Sequence, residues 1–405
     1  MSGNPDTSAI GAGLGNDLPA DRAVPSIQGD GIIHEIQWSD ALPWWLLFRA
    51  AGAAFSPTVI LLAALGALAT WAGWSMADRL GIPDGHALAG AVDPAVPADQ
   101  APALAPTPAP ELIARPWAFI RSSLPAPAAE IVRLVSVPFR PSATLGQMAG
   151  TLLRLAWFVA VWSILGTAIA RQVALKLAGE ETPGLSGALW FGSRKWLSAF
   201  NSVAFVLLGI VALSLPGALL GLLMRTNVGL ALAGAIWPLV LLGGILLAIL
   251  AIGVVAGWPL MVGGVGVERG DSFQAISTAF SYLYQRPLHY IFYGLVALAV
   301  ALPALAAAHL VATATSTLAL WATSLGMGHA RTAEVLSGLR DVAAGGPAPF
   351  GVSALGFWNR GLEAVLGAFG WGYFFAISTA AYLLLRRDVD GTELDEVVVE
   401  ELPGE

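Results

Sequence analysis

Between Arg225 and Glu268 the chain carries no charged residue, and a stretch that long and that apolar admits few folds. A helix of about 20 residues crosses the ~30 Å hydrocarbon layer of a bilayer and satisfies its backbone within itself. Shorter charge-free runs flank this one, at Thr58–Ala77, Leu155–Ala170, Ala199–Met224, Leu288 to about Leu325 and Ala364–Leu385. Only 12% of residues are charged and 56% are hydrophobic, where soluble domains carry roughly twice that charge. The expected fold class is all-α, a polytopic integral membrane protein with about six transmembrane helices.

The chain divides by composition. Residues 1–37 are polar and dotted with Gly and Pro, a disordered N-terminal tail without a cleavable signal. Residues 38–77 hold an interfacial helix, begun at Ser39, faced by Trp44, Trp45, Leu47 and Phe48 and closed by Arg49, and then the first span. Residues 78–142 form a Pro/Ala-rich extramembrane loop, with nine prolines between Ala91 and Pro127 and a short amphipathic turn at Glu130–Val137. Residues 143–386 are the membrane domain with five further spans, and 387–405 an acidic, solvated C-terminal tail. The second span is short between Arg154 and Arg171. Started near Leu145 it lets Arg154 snorkel to the interface, while the functional alternative puts that cation on a water-filled cavity.

Further on, a long tilted span covers Leu230–Trp258, where Gly253 and Gly257 admit another helix and Gly263, Gly264 and Gly266 loosen the chain. Pro216 and Pro303 are expected to bend their spans. Arg331–Ala343 carries Val335, Leu339 and Val342 at helical spacing and precedes the breaker AGGPAPFG.

The segment GDSFQAISTAFSYLYQRPLHYIFY, Gly270–Tyr293, reads as a surface helix running into a span. Asp271 and Gln274 make a capping-box-like start, and Phe273, Ile276, Phe280, Leu283 and Tyr284 recur on one face as a candidate interfacial contact surface. A third surface helix opens at Thr182-Pro183, with Leu185, Leu189, Trp196 and Phe200 on one side. Ser39-Asp40-Ala41-Leu42, Ser186-Gly187-Ala188-Leu189 and Ser272-Phe273-Gln274-Ala275-Ile276 suggest a threefold repeat of surface helix plus hairpin. On GDSFQAISTAFSYLYQRPLHYIFY and GLSGALWFGSRKWLSAF, residues 183–385 resemble bacterial six-span proteins akin to the membrane domain associated with glycerophosphodiester phosphodiesterases. That resemblance implies a helical membrane domain and no established activity, since no phosphodiesterase catalytic domain accompanies it.

Chemistry is sparse. Cysteine is absent, which removes disulfides and thiolate sites. No cofactor or metal site is expected: His34-Glu35 lacks the second histidine of HExxH, and Asp388-Val389-Asp390-Gly391-Thr392-Glu393 has its glycine misplaced for a calcium loop. Gly184-Leu185-Ser186-Gly187 matches the GxSG of rhomboid proteases, but the serine opens a surface helix instead of lying in a shielded site. Arg154 and His309, the latter one turn before Thr313, are candidate pathway residues; Arg360 and Glu363 are candidate anion contacts. There is no basic field for nucleic acid.

With six spans both termini share a side, and arginines 49, 171, 194, 269, 286, 386 and 387 with Lys176 and Lys195 make that side cytoplasmic. The expected function is non-enzymatic: a scaffold, assembly or membrane-organising factor in the cytoplasmic membrane, partnered by the lipid bilayer and by a membrane protein or a second copy. The alternative is a transporter or channel for a small solute, with Arg154 and His309 lining its pathway.

Overall fold

A computed structural model of the protein describes residues 42–83, 144–343, 345–393 and 397. Ser39, His34, Glu35, His86, the tail 1–37, the Pro-rich stretch and the turn at Glu130–Val137 lie outside them. Among the described residues every regular element is a helix, and six are long and apolar enough to cross a membrane. In chain order these elements are α1 (Trp45–Ala54), α2 (Pro57–Arg79), α3 (Leu145–Ala178), α4 (Leu185–Leu223), α5 (Asn227–Glu268), α6 (Ser272–Gln285), α7 (Pro287–Ala343), α8 (Phe350–Gly367) and α9 (Phe369–Asp390).

α3 is the hub and touches α1, α2, α4, α5 and α9. Its start is fixed locally. Thr144 accepts a hydrogen bond from the Gln147 N–H, and the Gln147 side chain accepts from the Thr144 N–H in return, a full capping box. It ends at Gly179, whose left-handed φ of 85° only glycine adopts without cost. Between those ends Phe158 and Trp162 project into an aromatic core. Trp162 stacks on Trp371 at 4.6 Å and on Phe375 at 5.1 Å, and Phe158 meets Trp258 at 5.5 Å, so α3, α5 and α9 share one centre.

Glycines set how near the helices come. A Cβ on Gly66 would lie 2.7 Å from the Trp162 ring, one on Gly166 2.7 Å from Phe375, and one on Gly192 2.2 Å from the Ile164 carbonyl. The predicted loosening at Gly263, Gly264 and Gly266 does not occur. α5 runs unbroken through all three, which are contact points instead: Gly264 faces the Tyr382 ring and Gly266 the Cβ of Ala170. The helix that approaches Gly253 and Gly257 is α6, which brings Phe280 and Ala279 against them.

Other expectations change in the same way. α1 continues past Arg49 to Ala54 and buries Leu46, Leu47, Ala50, Ala51, Ala53 and Ala54, while Trp45 and Phe48 of its expected face are exposed. Small residues win the inside because α9 packs closely on them. The third surface helix and its span are one helix, α4, of 39 residues, and the expected face there is only half-buried, behind Ala188, Phe191 and Gly192. Pro303 leaves α7 helical; the break comes at Gly328, with φ 74°. α8 was not expected at all. It packs on α7, with Val352 against Gly338 and Gly356 against Val342. Of the three repeat units, the first and third place a proline at the start of the following helix, Pro57 and Pro287, and the middle one has no break.

The close seams predict a contrast between glycines. Gly266→Ala should lower the melting temperature of the detergent-purified protein, by the equivalent of roughly 1–3 kcal/mol for an overpacked site. Gly209→Ala, where a Cβ meets nothing within 4 Å, should leave it unchanged or slightly raised. Equal responses would contradict the packing described.

Candidate functional site

Polar side chains gather at two places. At the first, α2 ends and the chain turns at Gly81 so that Ile82 and Pro83 lie on α3. Gly150 makes room there, since a Cβ on it would sit 2.0 Å from the Pro83 carbonyl. Arg154 is the staple. Its Nη1 donates to the Pro83 carbonyl at 3.1 Å, and Nη2 donates to the Ile82 carbonyl at 3.0 Å and to Asp78 Oδ1 at 2.6 Å. The arginine is 3% exposed, covered by the residues it bonds. Asp78 is largely exposed, so most of the effect belongs to the two carbonyls and little to the ion pair.

The second place is the opposite end of the core, where α5 ends, α6 begins and α9 finishes. Glu268 Oε1 accepts from Tyr382 at 2.6 Å and pairs with Arg386 Nε at 3.2 Å, while its Oε2 accepts from Gln274 at 2.8 Å. Gln274 thus turns to Glu268 and does not reach back to its own helix start; Asp271 still caps that start by accepting from the Gln274 N–H at 2.8 Å. Tyr282 donates to Asp390, and Tyr293 donates to Asp388 at 2.7 Å. Burial, then the bond to Asp390 and that carboxylate's charge, push the Tyr282 phenol well above its usual range, so it remains a donor. Helix α9 therefore extends into the expected acidic tail, and its first two aspartates are tied to the bundle.

Basic residues surround this end. Arg49 donates to the Leu177 carbonyl, Lys195 to the Arg269 carbonyl, and Arg171 and Arg269 both lie over the Phe191 ring, at 5.3 and 5.9 Å.

The remaining candidates fall elsewhere. His309 is exposed on α7, and its carbonyl accepts the Thr313 hydroxyl within the same helix. Among the described residues no hydrogen bond or ion pair joins Arg154 and His309. A cleft of about 520 Å³ between α3, α4 and α5 contains neither and is lined almost wholly by apolar side chains. Arg360 and Glu363 are both exposed on α8, and among the described residues no ion pair joins them. Ser186 is exposed in the first turn of α4, without a histidine bonded to it among the described residues.

The contact face of α6 divides. Phe273 is 69% exposed and stacks on Phe205 at 5.1 Å; Tyr284 is exposed and donates to the Ile249 carbonyl. Ile276 and Phe280 are half-buried and Leu283 is buried. The side that meets the core is Ser272, Ala275, Ala279 and Tyr282, with Ala279 facing Gly257 of α5 and the Phe280 ring on Gly253. Exposed Trp45 and Phe48, stacked at 4.8 Å, and Trp190 beneath Arg194 add to the aromatic surface.

Six apolar spans around an aromatic core, with ionic and tyrosine networks at its ends, define a multi-pass helical membrane protein. Comparison with family models, curated proteins and solved structures finds no match to this chain.

The staple reading has a direct check. In this cysteine-free chain, Ile82→Cys should react with a maleimide faster after Arg154→Leu, as roughly 1–3 kcal/mol of local anchoring is lost. Arg154→Lys should fall between, because an ammonium lacks the planar fork. Labelling indifferent to both would remove the staple.

Proposed function

We propose that this protein is a non-enzymatic scaffold or assembly factor of the cytoplasmic membrane, offering the aromatic surface of α1, α4 and α6 to a membrane-protein partner or a second copy. One observation carries the reading: among the described residues, the buried charged and phenolic groups are engaged in bonds between helices and helix ends. Arg154 spends its donors on residues 78–83, and Glu268, Asp388 and Asp390 are held by Arg386 and tyrosines. Exposed Trp45, Phe48, Trp190 and Phe273 add an aromatic surface outside these bonds. The transporter alternative has less support, since it needs Arg154 and His309 on one path.

Orientation belongs to the same proposal. Arginines 49, 171, 194, 269 and 386, with Lys195, contribute to contacts around one end of the core, and basic residues favour the cytoplasmic side. Both termini are then cytoplasmic. Glu393→Cys should be labelled only after the inner face is opened to a membrane-impermeant maleimide; labelling of intact cells would reverse the orientation.

Crosslinking in native membrane followed by purification should retain a specific partner. Phe273→Ala combined with Tyr284→Ala should lower its recovery by about tenfold, the loss expected for an aromatic hot spot, without changing the chain's own yield. A chain that emerges alone, or recovery unmoved by the substitutions, would count against a scaffold.

A further inference from the structure

The cleft between α3, α4 and α5 follows from three facing stripes. Met148 to Val159 of α3, Val203 to Ser214 of α4 and Leu247 to Trp258 of α5 form its walls. Each stripe advances by the same number of residues, about 16 Å of helix. The space is therefore a slot parallel to its walls, about 520 Å³ in volume. It exists because α5 turns Ala248 and Ala251 to it, where larger side chains would close it. No charged side chain lines it, and its one hydroxyl, Ser214, donates to the Val211 carbonyl of its own helix at 2.7 Å. Trp258 is 4% exposed and set edge-on to Phe375, and its aromatic core closes one end.

We propose that this slot binds one acyl chain of a bilayer lipid. Its length matches the hydrocarbon depth of a single leaflet, half of the ~30 Å layer. Its volume lies within the roughly 300–1,000 Å³ of small-molecule sites, yet it lacks the few converging polar groups by which such sites orient a polar ligand. Leu152 and Val211 of its lining are 45% and 56% exposed on the outer surface of the spans, so the slot is open to whatever surrounds those helices. In a membrane that is hydrocarbon. A lipid tail is the one occupant that fits the chemistry, the length and the route of access together. The site is independent of any protein partner of the α6 surface.

The test uses the full chain reconstituted in phosphatidylcholine vesicles with a trace of phosphatidylcholine carrying a diazirine midway along one acyl chain. After irradiation, mass spectrometry should find adducts concentrated on the α4 and α5 stripes, above those on Leu239 and Leu295, which are exposed outside the slot. Ala251→Trp should cut the slot adducts by about tenfold, equivalent to displacing roughly two methylenes from apolar contact, and leave Leu239 and Leu295 unchanged. Ala248→Leu, a smaller filling that the fold accommodates more easily, should give a partial loss. Equal adducts inside and outside the slot, or adducts indifferent to both fillings, would overturn the assignment. So would chain-to-chain crosslinks from a photoreactive side chain at position 248, which would put a second copy in the slot.

Discussion

The architecture depends on how closely α3, α5 and α9 can approach. Where lipid surrounds the helices, hydrocarbon outside is as apolar as leucine inside, and burial gives little preference for helix–helix contact over helix–lipid contact. Dispersion between well-fitted surfaces has to supply it. Glycine and alanine seams let backbones meet, and tryptophan and phenylalanine rings fill what the seams leave. Gly66 and Gly166 each receive a ring, and Gly266 receives Ala170. Take away the small residues and the rings have no recess; take away the rings and the seams enclose a void. The two features are one device.

That device also sorts the polar groups. A core closed by rings has little room for a charge with its hydration, so charges sit where helices end. Arg154 finds carbonyls that the turn after α2 leaves without helical partners, and Glu268 finds the Tyr382 phenol and Arg386 of α9 and the Gln274 amide of α6. Both arrangements fix helix ends in register, which close seams require. They also leave exposed aromatic residues on α1, α4 and α6.

Much of this was legible in the sequence and some was not, for identifiable reasons. The spans were legible because charge is costly in hydrocarbon, so their ends are marked by arginines and glutamates. The N-cap of α6 at Asp271 was legible because it is local. Which part of the α6 stripe α5 covers was not legible, because it depends on Gly253 taking the Phe280 ring and Gly257 facing Ala279. Gly263, Gly264 and Gly266 read as loose because a glycine does not show what packs on it; Tyr382 and Ala170 do. α8 was hidden behind a breaker-rich segment, and its packing on α7 is a tertiary fact. The Arg154 staple and the Tyr282–Asp390 and Tyr293–Asp388 bonds join residues 71 to 108 positions apart, and no local pattern announces such pairs.

The turn held by Arg154 bears on how the chain was assembled in evolution. Pro83 lies against Gly146 and Gly150, so two positions far apart in the chain meet on the bundle. Closing that contact costs an entropy that depends only weakly on the number of residues between the two positions, about 0.6 kcal/mol per doubling. The contact therefore tolerates changes in the length of sequence between them. That position in the chain can gain, lose or exchange sequence while the helices around Trp162 keep their places, and selection can act on the two parts separately.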